Sequence, residues 1–190
     1  PVPWRRGSWR GLALPGFETF DPLDWPWEAA RLKQSLPAGV TLAKRSPSRW
    51  VLGVTWNGQA LHLKRTLAPT WRARLSALLK GTKSAREFAV ARAIIAHGLR
   101  TPEPVFFAQG PRGESYLATR SLSPDHEPVS HRLRRENRVV PELLDALADL
   151  TRLLHESGVW HADWRTDHVF SSEALDTAPL AERFALLDLD

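Results

Sequence analysis

The stretch from Leu154 to Asp190 constrains this chain more than any other. A helix-compatible run closes at Gly158, and a polar loop then carries His161, Asp163, Asp167 and His168. A second apolar run, Phe184-Ala185-Leu186-Leu187, stops on Asp188 and Asp190. Phosphoryl transfer needs a carboxylate to take the proton of an attacking hydroxyl. It needs another to hold the metal that bridges the nucleotide phosphates, and a third polar group to complete the site. Asp163 reads as the base and Asp188, at the end of a strand, as the metal carboxylate. His168 lies five residues after Asp163 and reads as the third group. Magnesium prefers oxygen ligands, so His168 has three alternatives: weak metal binding, orienting Asp163, or holding a phosphate. His161 reads as a brace of the loop, and Asp167 and Asp190 as secondary polar groups.

The order of Asp163, His168 and Asp188 is that of protein-kinase-like catalytic loops. Protein kinases carry Asn where His168 stands. The pattern His-x-Asp-x-x-x-x-His, with the ending Leu187-Asp188-Leu189-Asp190, resembles the bacterial lipopolysaccharide core kinases, which phosphorylate the heptose or Kdo sugars of the inner core. The resemblance covers roughly Val40 to Asp190. It implies a two-lobed, α+β protein-kinase-like fold. An antiparallel-sheet small lobe of five strands would span about Val40 to Arg120, and a mainly helical, short large lobe would begin near Pro124. The implied division is 1–39, 40–122 and 123–190. ATP and Mg2+ are the implied cofactors, and a glycolipid or sugar hydroxyl the implied acceptor. The implied location is the cytoplasm, peripheral on the cytoplasmic face of the inner membrane.

Upstream parts fall in the order this resemblance requires. Val51 to Trp56 and Gln59 to Arg65 read as two strands around Asn57-Gly58, a pair that supplies the positive φ of a type I′ turn. Leu61 and Leu63 share one face of the returning strand, His62 and Lys64 the other. In a kinase small lobe a lysine on this strand grips the nucleotide phosphates, which makes Lys64 the candidate. The turn before this hairpin would cover the phosphates but lacks the usual glycines, so Lys44, Arg45, Ser46 and Ser48 are the candidate contacts. Trp71 to Lys80 reads as a basic, partly helical insertion. A helix then runs from Ser84 through Ala96, with Phe88, Ala91, Ile95 and Leu99 as its apolar stripe. Glu87 has two readings. It closes a capping box with Ser84, or it pairs with Lys64 as kinases pair the equivalent residues; the second is favoured. Val105 to Ala108 and Ser115 to Thr119 read as strands leading to a hinge at Arg120-Ser121-Leu122, where adenine would meet backbone. The cluster Arg132, Arg134, Arg135 and Arg138 is either a surface for an anionic acceptor or a solvated linker. From Pro141 a helix presents Leu143, Leu144, Leu147, Leu150 and Leu154 on one face.

Residues 1–39 are rich in Trp, Arg and Pro. Little regular structure is expected before Asp21, followed by a helix capped by Asp24 and ending near Leu36. Trp with Arg is the composition of a bilayer interface or a nucleic-acid stacking surface, so peripheral membrane contact through this segment is one reading. The favoured reading is that its rings pack onto the domain behind it. With a net charge of +5 the chain favours anionic partners. A nucleic-acid binder explains that charge but not the ordered carboxylates, and is disfavoured. The absence of cysteine excludes disulfides and thiolate chemistry, and no histidine pair has HExxH spacing. No apolar run is long enough to span a bilayer as a helix. A chain without Met that starts at Pro1 leads to the expectation that it is a fragment or a processed form. Two alternatives to the sugar kinase remain: a catalytically silent kinase-like nucleotide-binding or scaffold module, and a kinase with a protein or small-molecule acceptor.

Overall fold

Asn57 and Gly58 adopt φ of 47° and 75°, and between them the chain reverses with Trp56 opposite Gln59. This hairpin lies in a computed structural model that describes residues 1–32, 34–136, 141–159, 164–173 and 176–187. The chain divides into two units, residues 1–89 with 103–121, and residues 90–102 with 122–190.

The first unit is built on a seven-stranded antiparallel sheet. Its strands are β1 (Val2–Arg6), β2 (Trp9–Ala13), β3 (Val40–Arg45), β4 (Arg49–Trp56), β5 (Gln59–Thr66), β6 (Pro104–Gln109) and β7 (Ser115–Arg120). Their spatial order is β1-β2-β6-β7-β5-β4-β3. Five strands from Val40 onward match the expectation; β1 and β2 correct it, because the segment expected to be irregular is a hairpin that extends the sheet. Gly7 (φ 58°) lets Arg6 turn directly to Trp9. Gly11 lets β2 reach β6, since a Cβ there would stand 1.8 Å from the Phe107 carbonyl oxygen. Pro3 is tolerated because β1 is an edge strand.

The aromatic residues of this segment face inward. Trp4, Phe17, Phe20 and Trp27 are buried in one core with Leu52, Leu61, Leu63 and Phe106. Trp4 meets Phe106 edge to face at 5.0 Å. The Arg65 guanidinium lies 5.2 Å from the Trp50 ring and 5.8 Å from those of Trp27 and Tyr116. Part of the chain's Trp and Arg content therefore serves internal cation–π packing. The single helix expected from Asp24 to Leu36 is instead two short pieces. Asp21 accepts a hydrogen bond from the Leu23 amide (2.8 Å) and opens a 3₁₀ turn over Pro22–Asp24. Trp25, held extended before Pro26 as residues preceding proline are, separates it from helix α1 (Trp27–Leu32).

Two helices lie between β5 and β6: α2 (Trp71–Lys80) and α3 (Lys83–Ala96). The boundary between the units falls within α3, after Ala89. On α3 the apolar stripe continues from Phe88 and Ala91 to Ile94, which is buried, while Ile95 is only partly covered.

The second unit holds β8 (Glu127–Pro128), α4 (Val129–Glu136), α5 (Pro141–Glu156), β9 (Val169–Ser171), α6 (Leu180–Arg183) and β10 (Phe184–Leu186). The three strands pair antiparallel in the order β10-β9-β8. Leu143, Ala146, Leu150 and Leu154 of α5 are buried with Val169, Phe184 and Leu186. Leu144, expected on that face, is exposed. Helical spacing places Ala146 and not Leu144 in line with Leu143 and Leu150. The helix ends as its sequence suggests, with Gly158 at φ 71° and the Val159 amide bonded to the Leu154 carbonyl at 2.9 Å.

Candidate functional site

Strand alternation positions the candidate residues of the first unit. Leu61 and Leu63 enter the core of the first unit, so His62 and Lys64 stand on the other face of β5. There the Lys64 ammonium lies 3.0 Å from Glu87 Oε2. Glu87 is nearly fully buried and also accepts a hydrogen bond from Arg49 Nη2, at 3.2 Å, on its second oxygen. The capping-box reading fails for a local reason. Thr82 takes the capping role, its Oγ1 accepting from the Ala85 amide at 3.4 Å. Helix α3 therefore starts at Lys83, and Glu87 lies more than a turn inside it. A buried carboxylate must be paired to be tolerated, and Lys64 and Arg49 do this together.

Arg49 is the residue that sequence reasoning missed. The signal was present in the strand period. Val51 is paired with Lys64, and Arg49, two residues earlier, shares the face of Val51.

His62 stands beside Lys64 with its Nδ1 3.1 Å from Ser121 Oγ. Burial, and secondarily the Lys64 charge, hold its imidazole below the ordinary histidine value. Burial also pushes the Tyr116 hydroxyl up, to about 12.

The turn between β3 and β4 closes without glycine. Ser46 Oγ accepts from the Arg49 amide and donates to the Arg49 carbonyl, both at 3.1 Å, and the Ser46 amide bonds the same carbonyl at 2.8 Å. Lys44, Arg45 and Ser48 are exposed along this hairpin, and Ser46 is partly covered. The Arg120 side chain is engaged within its own unit. Its Nε donates to Glu103 at 2.6 Å, its Nη1 donates to Gln59, and its guanidinium lies 5.4 Å from the Phe17 ring. Leu122 belongs to the second unit and is partly exposed.

In the second unit, β9 and β10 pair Val169 with Leu186. The Leu187 amide continues this ladder to the His168 carbonyl at 2.8 Å. His168 and the residue preceding Asp188 are thus neighbours across two strands. Asp163, Asp188, His161 and Asp190 lie outside the described residues. Asp167 accepts a short hydrogen bond from Ser130 Oγ, which holds its carboxyl below the usual range. Among the described residues no group of three or more His, Asp or Glu could hold a metal ion.

Two arginines of the cluster are paired with carboxylates of their own unit. Arg132 is buried and bidentate to Asp176, with Nη1 to Oδ1 at 2.8 Å, and this depresses the Asp176 carboxyl. Arg135 bridges Glu127 at 2.6 Å and Glu173 at 2.5 Å. Arg134 is exposed, and Arg138 lies outside the described residues. No described helix is long and apolar enough to cross a membrane.

Comparison with known proteins supplies the family context. The model of the lipopolysaccharide kinase (Kdo/WaaP) family matches residues 40–190. No curated protein sequence matches the chain. Among solved structures, WaaP in complex with acyl carrier protein is similar with a TM-score of 0.60 at 20% identity, covering 95% of this chain and 70% of that one. A double mutant of the Mycobacterium tuberculosis PknI kinase domain is similar with a TM-score of 0.46 at 19% identity, covering 82% of this chain and 62% of that one. The fold is protein-kinase-like.

Proposed function

The chain belongs to the lipopolysaccharide kinase (Kdo/WaaP) family and is a phosphotransferase acting on a hydroxyl; from that premise we propose that its donor is ATP with Mg2+ and its acceptor a sugar hydroxyl of the lipopolysaccharide inner core. The observation that carries this reading is the ion pair between Lys64 and the buried Glu87 carboxylate. Kinases use such a pair to hold the lysine that contacts the nucleotide phosphates. In this reading Lys64 takes the phosphates, while Glu87 and Arg49 fix its position. Lys44, Arg45, Ser46 and Ser48 line the phosphate side through the hairpin they form. Adenine meets the backbone at Arg120-Ser121-Leu122.

Asp163 is the base that accepts the acceptor hydroxyl proton, and Asp188 carries the metal, with His168 beside it. The backbone bond from Leu187 to His168 supports placing these last two roles together. Bound magnesium would neutralise charge that develops on the transferred phosphoryl group. The reaction would take place at the cytoplasmic face of the inner membrane, where such an acceptor is presented.

Calorimetric titration of ATP, with and without magnesium, tests the donor site. Magnesium-dependent binding that disappears in Asp188→Ala is expected. Binding that is indifferent to both magnesium and Asp188 would refute the metal assignment. Transfer of labelled phosphate from ATP to dephosphorylated core oligosaccharide, lost in Asp163→Ala, tests the acceptor. A second reading, a catalytically silent nucleotide-binding or scaffold module, is favoured by the glycine-free turn closed on itself through Ser46. It predicts nucleotide binding without transfer.

A further inference from the structure

Helix α2 plays no part in the ion-pair site, and its outer face is unlike the rest of the surface. Thr70 caps its start, accepting from the Ala73 amide at 3.2 Å, and Gly81 (φ 78°) ends it. It rests on the first unit through its smallest side chains. Ala73 and Ala77 are partly buried, and a Cβ at Gly113 in the β6–β7 turn would stand 3.1 Å from the Ala77 Cβ.

The opposite face is apolar and open: Trp71 is 68% exposed, Leu75 46%, Leu78 80% and Leu79 74%. At about 100° per residue these four side chains fall within an arc of roughly 100°. Arg72 and Arg74 flank that arc, one on each border. The Arg72 guanidinium stands 5.5 Å from the Trp71 ring. Lys80 closes the helix and Lys83 follows, and the ten residues include no carboxylate. A single exposed leucine needs no explanation, but a contiguous apolar stripe rimmed by polar residues marks an interaction surface.

We propose that α2 docks this protein on an anionic lipid bilayer, with the Trp71/Leu75/Leu78/Leu79 stripe at the headgroup–acyl boundary and its bordering cations on lipid phosphates. The features are those of an interfacial helix: a narrow apolar stripe, a Trp within it, and cations on the polar side. At about 15 Å the helix is far too short to span, and long enough only to lie flat. A second copy of the same helix is a poor occupant, because apposed stripes would bring like-charged Arg borders together. Membrane contact thereby passes from the N-terminal segment, where Trp4 and Trp27 are buried, to α2. It holds whichever acceptor the kinase uses.

The test is co-sedimentation of the full chain with phosphatidylcholine vesicles and with vesicles in which about a third of the lipid is phosphatidylglycerol. The wild-type chain is expected to pellet with the anionic vesicles. The double variants Leu78→Ser/Leu79→Ser and Arg72→Gln/Arg74→Gln should each lower the partition coefficient about tenfold or more. Their melting temperatures should stay close to wild type, because these side chains are exposed and the hydrogen bond that the arginine variant gives up, Arg74 Nε to the Ala68 carbonyl at 3.2 Å, lies at the surface. Wild-type protein left in the supernatant, or variants that pellet equally well, would overturn the proposal. So would a lipid-free dimer in sedimentation velocity that the leucine variant converts to monomer, since that assigns the stripe to a second copy.

Discussion

Replacing Glu87 with Gln should cost more stability than replacing Lys64 with Met, although the two residues form one ion pair. Glu87 Oε2 lies 3.0 Å from Lys64 Nζ, and Oε1 lies 3.2 Å from Arg49 Nη2. At an effective dielectric of about 20 each contact is a gross attraction of about 5 kcal/mol. Most of that offsets the desolvation of the charges. Removing one partner of a buried pair has a net cost of about 3–5 kcal/mol, because the charge left behind is not compensated. Glu87→Gln deprives two cations of their shared carboxylate. Their side chains are 20% and 12% exposed for Lys64 and Arg49, so water recovers part of the loss and about 3 kcal/mol is expected. Lys64→Met leaves Glu87 with Arg49 and should cost about 1–2 kcal/mol.

At this chain length 1 kcal/mol moves the melting temperature by about 2–4 °C. Glu87→Gln should therefore melt about 6–12 °C below wild type by circular dichroism, and Lys64→Met several degrees less. Directly contacting residues couple by about 0.5–3 kcal/mol, so the double variant should be less damaged than the sum of the two singles. Equal costs with additive effects would show that Glu87 does not hold the two cations jointly, and would remove the basis for treating Arg49 as a positioning residue.

Two further outcomes follow from the same unit. His62, held low first by burial and then by Lys64, should titrate in NMR below the unfolded value of about 6.5 and move upward in Lys64→Met. Because its folded value is depressed, the native state binds fewer protons in that window. The contribution of His62 to stability is therefore full above pH about 6.5 and is lost as pH falls through the folded value; a His62 that titrates at or above 6.5, or does not respond to Lys64→Met, contradicts this. Gly11→Ala should destabilise by at least about 2 kcal/mol in urea unfolding, since its Cβ would meet the Phe107 carbonyl at 1.8 Å and the β2–β6 ladder must part; a neutral substitution would mean that β2 does not pair with β6.

What was legible in the sequence was written in neighbouring residues. Asn57-Gly58 specified its hairpin through two adjacent φ angles, Gly158 ended its helix, and alternation put Lys64 opposite the core. The less legible parts depend on residues distant in sequence. Glu87 had two local meanings, and the choice was made by Thr82, which caps the helix in place of Ser84. Arg49 meets a partner 38 residues away. The first hairpin was hidden by Trp, Arg and Pro, a composition that reads as irregular until Gly11 is seen to lie against Phe107. The glycine-free turn illustrates the same point at shorter range. Its sequence looks deficient when compared with a glycine-rich phosphate loop, yet Pro47 fixes its own φ and Ser46 Oγ bonds both the backbone amide and the backbone carbonyl of Arg49. Glycine is needed where a turn demands positive φ or the close approach of a ligand to backbone; this one closes by a side chain instead. The missing glycines therefore describe how the hairpin is held.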